Sequence, residues 1–551
     1  MTPRRIVLAA AALLFFFRLG GHDLWSPDEP YFAEGAREMV VDGEWAVPHV
    51  NGVASSDKPP LFFWLVALFS LPLGKVTEFT ARLPSALAAL GTLALTMRLG
   101  GRFFGPRTAV VAGAVLSTTY LFWEKARWSQ TDAVLCCCIW VALSAFAAYR
   151  SGEADGRRAG LVFWFASALA VLVKGPVGLL LPLGIALVIL AADGDLARWR
   201  SFAPLAGPLV FALVVGAWMV LATVGGGGEY SVWAALREHF IERGIHGMHH
   251  RRPVWYFAEV LPPNLLPWTA LVPGGLVLAW RRRRAADRFL LVAALFVLVF
   301  FTVSTEKREL YALPALPAIA LMVAALVAAV CGWTEPAEES PPTVDRRWVT
   351  VAQGLLGGLL VVVAGALPFA AERFEELSRG TAWALAGLIG ATGAAALAAA
   401  IRGRALAAAL APAVGFALLY LAVVTAVYPG FESRKSVRPL AGKLVELTAE
   451  SRARSVPVYA YGVENVPKAI AFYSPGLYTV ETLDPAELTR HLRQSETAWA
   501  LVNGNWLDTL DESLLGDLVV VEETRLARRP VLLVSNSRER GGRPLFEAPP
   551  P

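Results

Sequence analysis

Long apolar runs recur along this chain, separated by short segments rich in arginine, glycine and proline. After residue 428 that pattern gives way to short β-branched runs spaced by polar turns. An α-helix rises about 1.5 Å per residue, so about twenty apolar residues are needed to cross the hydrocarbon of a bilayer. On that length the pattern predicts about thirteen spans, over 5–20, 79–98, 106–124, 132–149, 159–173, 176–192, 204–224, 264–280, 289–303, 310–331, 348–370, 381–401 and 405–427. The run 60–74 is short and interrupted by Pro72, which predicts an interfacial helix. The run 159–192 is too long for one span, and Lys174-Gly175-Pro176 divides it into a hairpin.

Beyond residue 428, the segments 456–462, 477–481, 498–502, 518–521 and 531–534 have the composition of strands. The segments 484–494 and 506–515 read as helices, with Asp484-Pro485 as a helix start. The predicted fold class is a polytopic α-helical membrane protein with a small C-terminal α/β domain. Its two predicted domains are a transmembrane domain over 1–428 and an α/β domain over 429–551.

Composition sharpens this picture in three respects. The chain is 56% hydrophobic, and its mean hydropathy is +0.51, which excludes an ordinary soluble globular protein. The net charge of +5 does not point to nucleic acid, because the basic residues follow the topology. With the N-terminus inside, Arg98, Arg102 and Arg107, Arg150, Arg157 and Arg158, Arg198 and Arg200, Arg281 to Arg284, Arg346 and Arg347, and Arg402 and Arg404 all fall in inner loops. An odd number of spans then puts the C-terminal domain outside the cytoplasm. Three of the four cysteines are adjacent, Cys136 to Cys138, inside an apolar run, which does not suit a disulfide framework or a metal motif. The first apolar segment follows Arg4-Arg5 without an obvious small-residue cleavage site and is expected to remain as a span.

Chemistry-bearing residues gather at span ends on the predicted outer side. Asp28-Glu29 lies on the first outer loop behind Ser26-Pro27. It reads either as an acidic first turn of a helix or as a carboxylate fixed in position for general-base work, and both roles are compatible. Asp57-Lys58 stands before Pro59-Pro60, which stiffen the turn that presents the pair. Lys58 can equally snorkel to headgroups. Asp132 opens a span, where an acid is costly without a partner or water and where a capping role is the plainer alternative. The fourth outer loop carries Glu238, His239 and Arg243, with His239 and Arg243 one helical turn apart on a shared face. A histidine beside Asp57 makes a carboxylate–imidazole metal site conceivable, although no HExxH motif is present. Lys307, Arg308 and Tyr311 open another span, suited either to a phosphate headgroup or to ordinary interfacial anchoring. The aromatic group Trp255, Tyr256, Phe257 and Trp268 reads as an interface belt.

Taken in order, Asp28-Glu29-Pro-Tyr-Phe-Ala-Glu34, Asp57-Lys58-Pro59, Asp132, Glu238-His239 with Arg243, Pro253-x-Trp255-Tyr256, Pro267-Trp268 and Lys307-x-x-Leu-Tyr311-x-Leu-Pro314 resemble the bacterial aminoarabinose (lipid A) transferases. Those enzymes are related to the protein O-mannosyltransferases of the GT-C class, and the likeness runs over residues 1–320. The family often has Glu where this chain has Asp57, and the aminoarabinose enzymes carry Arg-Tyr where it has Tyr31-Phe32.

The resemblance implies a glycosyltransferase of the bacterial inner membrane, hexosyl or pentosyl, with its active site and C-terminal domain on the periplasmic side. The implied donor is a sugar on a polyprenyl phosphate such as undecaprenyl phosphate. The implied acceptor is a lipid A-like lipid, a glycan or a protein. It also implies Asp28 as the catalytic carboxylate, with Glu29 beside it and Asp132 as a supporting acid. Lys58, Arg243 and Tyr311, with Lys307 nearby, would bind the donor phosphate. Asp57 and His239 would sit at the position of a divalent metal (Zn, Mg or Mn). The rival readings are a transporter or flippase, which would place charges at mid-membrane in repeated broken helices, and a non-catalytic envelope scaffold.

Overall fold

The computed structural model describes residues 2–225, 252–333, 344–373, 376–449, 456–463, 465–477, 479–494, 497–526, 529–537 and 543–545. It divides into two compact units. A helical unit comprises Met1–Leu19, Ser56–Phe62 and Arg82–Tyr428, and a mixed unit comprises Gly20–Ser55, Phe63–Ala81 and Pro429–Pro551. The division at Tyr428 and Pro429 coincides with the predicted domain limit. The segments 20–55 and 63–81, expected in the first domain, group instead with the C-terminal residues.

Each predicted span is helical. Among the described residues, nine helices are long and apolar enough to cross a membrane: Glu78–Phe104, Thr131–Arg150, Gly156–Lys174, Ala206–Gly225, Ala285–Val303, Glu309–Val330, Arg347–Ala371, Arg379–Ile401 and Ala405–Leu447. The other four predicted spans are shorter or broken for local reasons. Pro3–Phe16 ends where Phe17 leaves helical geometry. The extended Thr119 separates Pro106–Thr118 from Tyr120–Ala126. Gly175 precedes the 16-residue helix Val177–Ala192, which confirms the hairpin. Val272–Arg282 follows a stretch holding Pro262, Pro263 and Pro267. The expected interfacial helix is Leu61–Ser70.

Helix ends in the helical unit are closed by charged side chains. Arg127, 3% exposed, donates to the carbonyls of Leu14 and Phe15, and the fully buried Arg82 donates to that of Leu19. The Leu14 and Phe15 carbonyls lie in the last turn of the first helix, where no intrahelical donor is available, and Leu19 lies three residues beyond it. Where backbones approach closely, glycine makes room. A Cβ on Gly393 would lie 2.6 Å from the Gly357 carbonyl oxygen, and one on Gly357 would lie 2.7 Å from the Gly393 carbonyl oxygen.

In the mixed unit, strands β1 (His49–Val50) and β2 (Val53–Ala54) form a small antiparallel ribbon. Strands β3 (Val458–Tyr461), β4 (Thr479–Thr482), β5 (Trp499–Asn503), β6 (Val519–Leu526), β7 (Arg529–Ser535) and β8 (Arg543–Pro544) form one sheet in the order β4-β3-β5-β7-β6-β8. Strand β3 is parallel to β4 and β5, and the β5-β7, β7-β6 and β6-β8 pairs are antiparallel. All five predicted strands are present. Asp484 caps Pro485–Leu492 as expected, accepting from the Ala486 N–H. The predicted helix 506–515 is instead a 3₁₀ turn, Gly504–Thr509, followed by Glu512–Asp517, because Asp511 starts a new cap by accepting from Ser513 N–H.

Gly393→Val is expected to force the helices Arg347–Ala371 and Arg379–Ile401 apart and to destabilise the protein by about 1–3 kcal/mol. A lowered thermal midpoint of the detergent-solubilised protein would report it. Gly358→Ala, at a position with open space around it, should leave that midpoint nearly unchanged.

Candidate functional site

The helix Thr131–Arg150 sets the polarity of the helical unit. Its first turn carries Asp132 and its last residue is Arg150, about 27 Å apart at the rise of an α-helix. At the Arg150 end, Arg150 pairs with Asp193, which also accepts from Arg288 at 2.9 Å, and Arg102 pairs with Glu153 at 2.7 Å. Arg198 donates to the Arg150 carbonyl. Three of the arginines expected in inner loops, Arg102, Arg150 and Arg198, are therefore drawn together at this end of the helix.

At the other end, Asp132 is 6% exposed and accepts from Lys174 Nζ at 2.6 Å. The Lys174 ammonium also lies 4.8 Å from the centroid of the Tyr311 ring. The segment bearing Tyr311 is tied to the helix bearing Asp132, since Trp140 Nε1 donates to the Pro314 carbonyl at 2.9 Å and Cys136 Sγ to that of Leu313 at 3.7 Å. Two residues singled out from the sequence, Asp132 and Tyr311, thus meet around a third that was not. Lys174 served only to mark a hairpin. The missed signal was its position at a span end on the side where the same topology puts Asp132.

Lys307 departs from the expected phosphate-binding role. It is 3% exposed, and its ammonium donates to the carbonyls of Ser304, at 2.6 Å, and Arg252, at 3.0 Å. A buried ammonium near a helix end satisfies backbone acceptors and holds the turn before Tyr311. Lys58 is half-buried, and its Nζ donates to the Asp57 carbonyl at 2.9 Å. His239 and Arg243 lie outside the described residues. Among the described residues no group of three or more His, Cys, Asp or Glu side chains is arranged to hold a metal. Of the two implied ligands only Asp57 lies among the described residues. All four cysteines are free, as their spacing suggested. Trp268, expected in an interface belt, is instead 1% exposed and donates to Thr118 Oγ1 at 3.0 Å, whereas Trp255 is 61% exposed.

In the mixed unit, Asp28 is half-buried and begins the helix Asp28–Asp42, where an acid complements the exposed N–H groups of the first turn. Glu29 is fully buried and accepts from the Trp25 N–H at 3.0 Å, so its carboxylate shapes the loop rather than facing solvent. Further along, Arg37 grips Glu34 with two hydrogen bonds of 2.7 Å. Burial nevertheless pushes the Glu34 carboxyl up to about 7, against the lowering effect of Arg37.

The family described as dolichyl-phosphate-mannose-protein mannosyltransferase matches residues 57–220, a stretch that holds Asp57, Lys58, Asp132 and Lys174. The undecaprenyl phosphate-α-4-amino-4-deoxy-L-arabinose arabinosyl transferase of Pectobacterium carotovorum is 30% identical over 370 residues, which cover 65% of this chain and 64% of that protein. The transferase of the same name from Pseudomonas aeruginosa is 30% identical over 326 residues, 58% of either chain. The chain therefore spans less than two thirds of the length of these relatives. The crystal structure of ArnT from Cupriavidus metallidurans bound to undecaprenyl phosphate matches with a TM-score of 0.75 at 20% identity, covering 98% of this chain and 99% of that one. The Archaeoglobus fulgidus oligosaccharyltransferase matches with a TM-score of 0.54 at 12% identity, covering 91% and 69%. The chain has the ArnT fold, that of a polytopic helical membrane protein with a small sheet domain. The likeness read from its motifs is borne out.

Two stability measurements follow. Lys174→Ala strands the buried Asp132 carboxylate and should cost roughly 3 kcal/mol, most of which the double variant with Asp132→Asn should recover. Thermal melts of the two variants against the parent check this. For Glu34, the folded carboxyl titrates near 7 against 4.5 for its ordinary value, so the folded state holds the extra proton between these limits. Stability is then greatest below the lower limit and falls as pH rises towards 7, by roughly 3 kcal/mol in all. Glu34→Gln should flatten that decline when melts at about pH 5 and about pH 8 are compared.

Proposed function

We propose that this protein is a glycosyltransferase that moves a sugar from an undecaprenyl-phosphate donor to an envelope acceptor, a lipid A-like lipid, a glycan or a protein. The observation that carries the proposal is the likeness in fold, over 98% of the chain, to the crystal structure of ArnT from Cupriavidus metallidurans bound to undecaprenyl phosphate. The Asp132–Lys174–Tyr311 group at one end of the helices agrees with it. We place the protein in the bacterial inner membrane, with the reacting end of the helices and the C-terminal domain on the periplasmic side. The arginines at the opposite end support that orientation.

In the proposed reaction, an acceptor hydroxyl attacks the anomeric carbon while Asp28 accepts its proton. The bond from that carbon to the phosphate oxygen breaks, a glycosidic bond forms, and undecaprenyl phosphate leaves with the bonding electron pair. Lys58, Arg243 and the Tyr311 hydroxyl stabilise the charge that grows on the leaving phosphate. Lys174, which also lies against the Tyr311 ring, offsets the negative charge of Asp132, so that the acid does not repel the donor. Asp57 and His239 would hold a divalent metal (Zn, Mg or Mn), which would supply further charge stabilisation when bound. Direct displacement inverts the anomeric centre.

The test uses purified protein with undecaprenyl-phosphate-linked pentoses and hexoses, followed by mass spectrometry of the acceptor and of released undecaprenyl phosphate. Asp28→Asn should lower transfer by roughly 10²- to 10⁴-fold while undecaprenyl phosphate still binds. Transfer that survives this change intact would remove Asp28 from the chemistry. An envelope whose lipids, glycans and proteins do not change when the gene is deleted would count against the whole assignment.

A further inference from the structure

We infer that the C-terminal α/β domain is a positioning element for the reaction, and that Tyr473 and Arg438 hold the loop leading into Asp28 in the conformation that turnover requires. The inference rests on the function proposed above, and it concerns contacts wholly within the mixed unit. The loop 21–27 forms no regular structure of its own, so its buried backbone donors need acceptors from elsewhere. They find them in the C-terminal residues. The Asp23 N–H donates to Glu432 Oε1 at 2.7 Å, and the N–H of the fully buried Leu24 donates to Tyr473 Oη at 2.7 Å. These acceptors lie 409 and 449 residues away in sequence.

Side chains repeat the connection. Asp23 accepts from Ser436 Oγ at 2.7 Å and from Arg438 Nη1 at 3.1 Å. Arg438 also lies 3.6 Å from Glu78 and stands 5.5 Å above the Tyr473 ring. Lys435 covers the Trp25 ring at 5.8 Å. Past Asp28 the grip continues, with Lys468 5.2 Å above the Tyr31 ring and Asn51 Nδ2 donating to the Thr479 carbonyl at 2.6 Å.

The geometry explains why the segment 20–55 groups with a domain encoded nearly four hundred residues later. A general base must be held in place to be effective, since small misplacements cost large factors in rate. The helix Asp28–Asp42 starts four residues after the Leu24 amide that Tyr473 secures. Arg438 and Tyr473 are positioning residues in this scheme, because they act through the loop.

The experiment uses the full chain in detergent with Tyr473→Phe and Arg438→Ala, and Arg438→Lys as the conservative variant. Hydrogen exchange over residues 21–31 is the first readout. Tyr473→Phe should speed exchange at Leu24 about tenfold and leave the helices of the helical unit unchanged. The second readout is transfer from the undecaprenyl-phosphate-linked sugar that the parent uses. Both Tyr473→Phe and Arg438→Ala should lower kcat roughly tenfold while KM for the donor and binding of undecaprenyl phosphate stay within about twofold. Arg438→Lys should restore most of the loss. Unchanged exchange at 21–31, or loosened exchange with full kcat, would overturn the inference. A parent protein that transfers no sugar would instead overturn the proposed function, and the exchange readout would still decide whether the C-terminal domain holds the loop.

Discussion

An acid and an amine that meet at 2.6 Å with little water around them cannot be separated cheaply, and the Asp132–Lys174 pair is such a contact. Its partners come from the first turn of one helix and the last residue of the next. The pair therefore fixes the depth of the hairpin that joins them. Tyr311 packs over the same ammonium, on a segment fastened to the Asp132 helix by Trp140 and Cys136. A polar end of the bundle is in this way assembled by one ion pair and two bonds to carbonyls.

The mixed unit solves a different problem. A loop between elements carries backbone N–H groups that lose energy when buried unpaired, and residues 23 and 24 lie in such a loop. Their donors are satisfied by Glu432 and Tyr473, so the loop and the C-terminal residues fold as one body. Arg127 and Arg82 play the matching part for carbonyls at the end of the first helix and just beyond it. Hydrogen-bonding obligations of a few backbone groups thus account for much of the long-range connectivity.

These facts also explain what was legible beforehand. The spans and strands were readable because each follows from a local property, a length of apolar chain or a β-branched run. Asp132 stood out because an acid at the mouth of an apolar run is expensive. Lys174 did not, because Gly175 and Pro176 beside it already explained the hairpin, and the partner 42 residues away leaves no local trace. Trp268 looked interfacial for a similar reason, since its bond to Thr118 is set by tertiary packing. The grouping of residues 20–55 with the C-terminal domain was invisible because the bonds concerned span more than four hundred positions. The backbone bonds of Glu29 and Lys307 left no mark in the sequence either, since their partners are set by the fold of the loops around them.

The distribution of charge along the helix Thr131–Arg150 bears on the rival reading of a transporter. Acid, amine and tyrosine gather at its first turn, and the Arg150–Asp193–Arg288 group lies at its last. Between them, from Ala133 to Tyr149, the helix carries no charged residue. A carrier that moves a polar solute through the bilayer needs polar groups near mid-depth, in helices broken to receive it. This helix is unbroken and apolar at mid-depth, and its charged groups lie at its two ends. The proposed lipid-linked donor would need no such path, since its phosphate would stand level with the polar end and its tail beside the apolar middle turns.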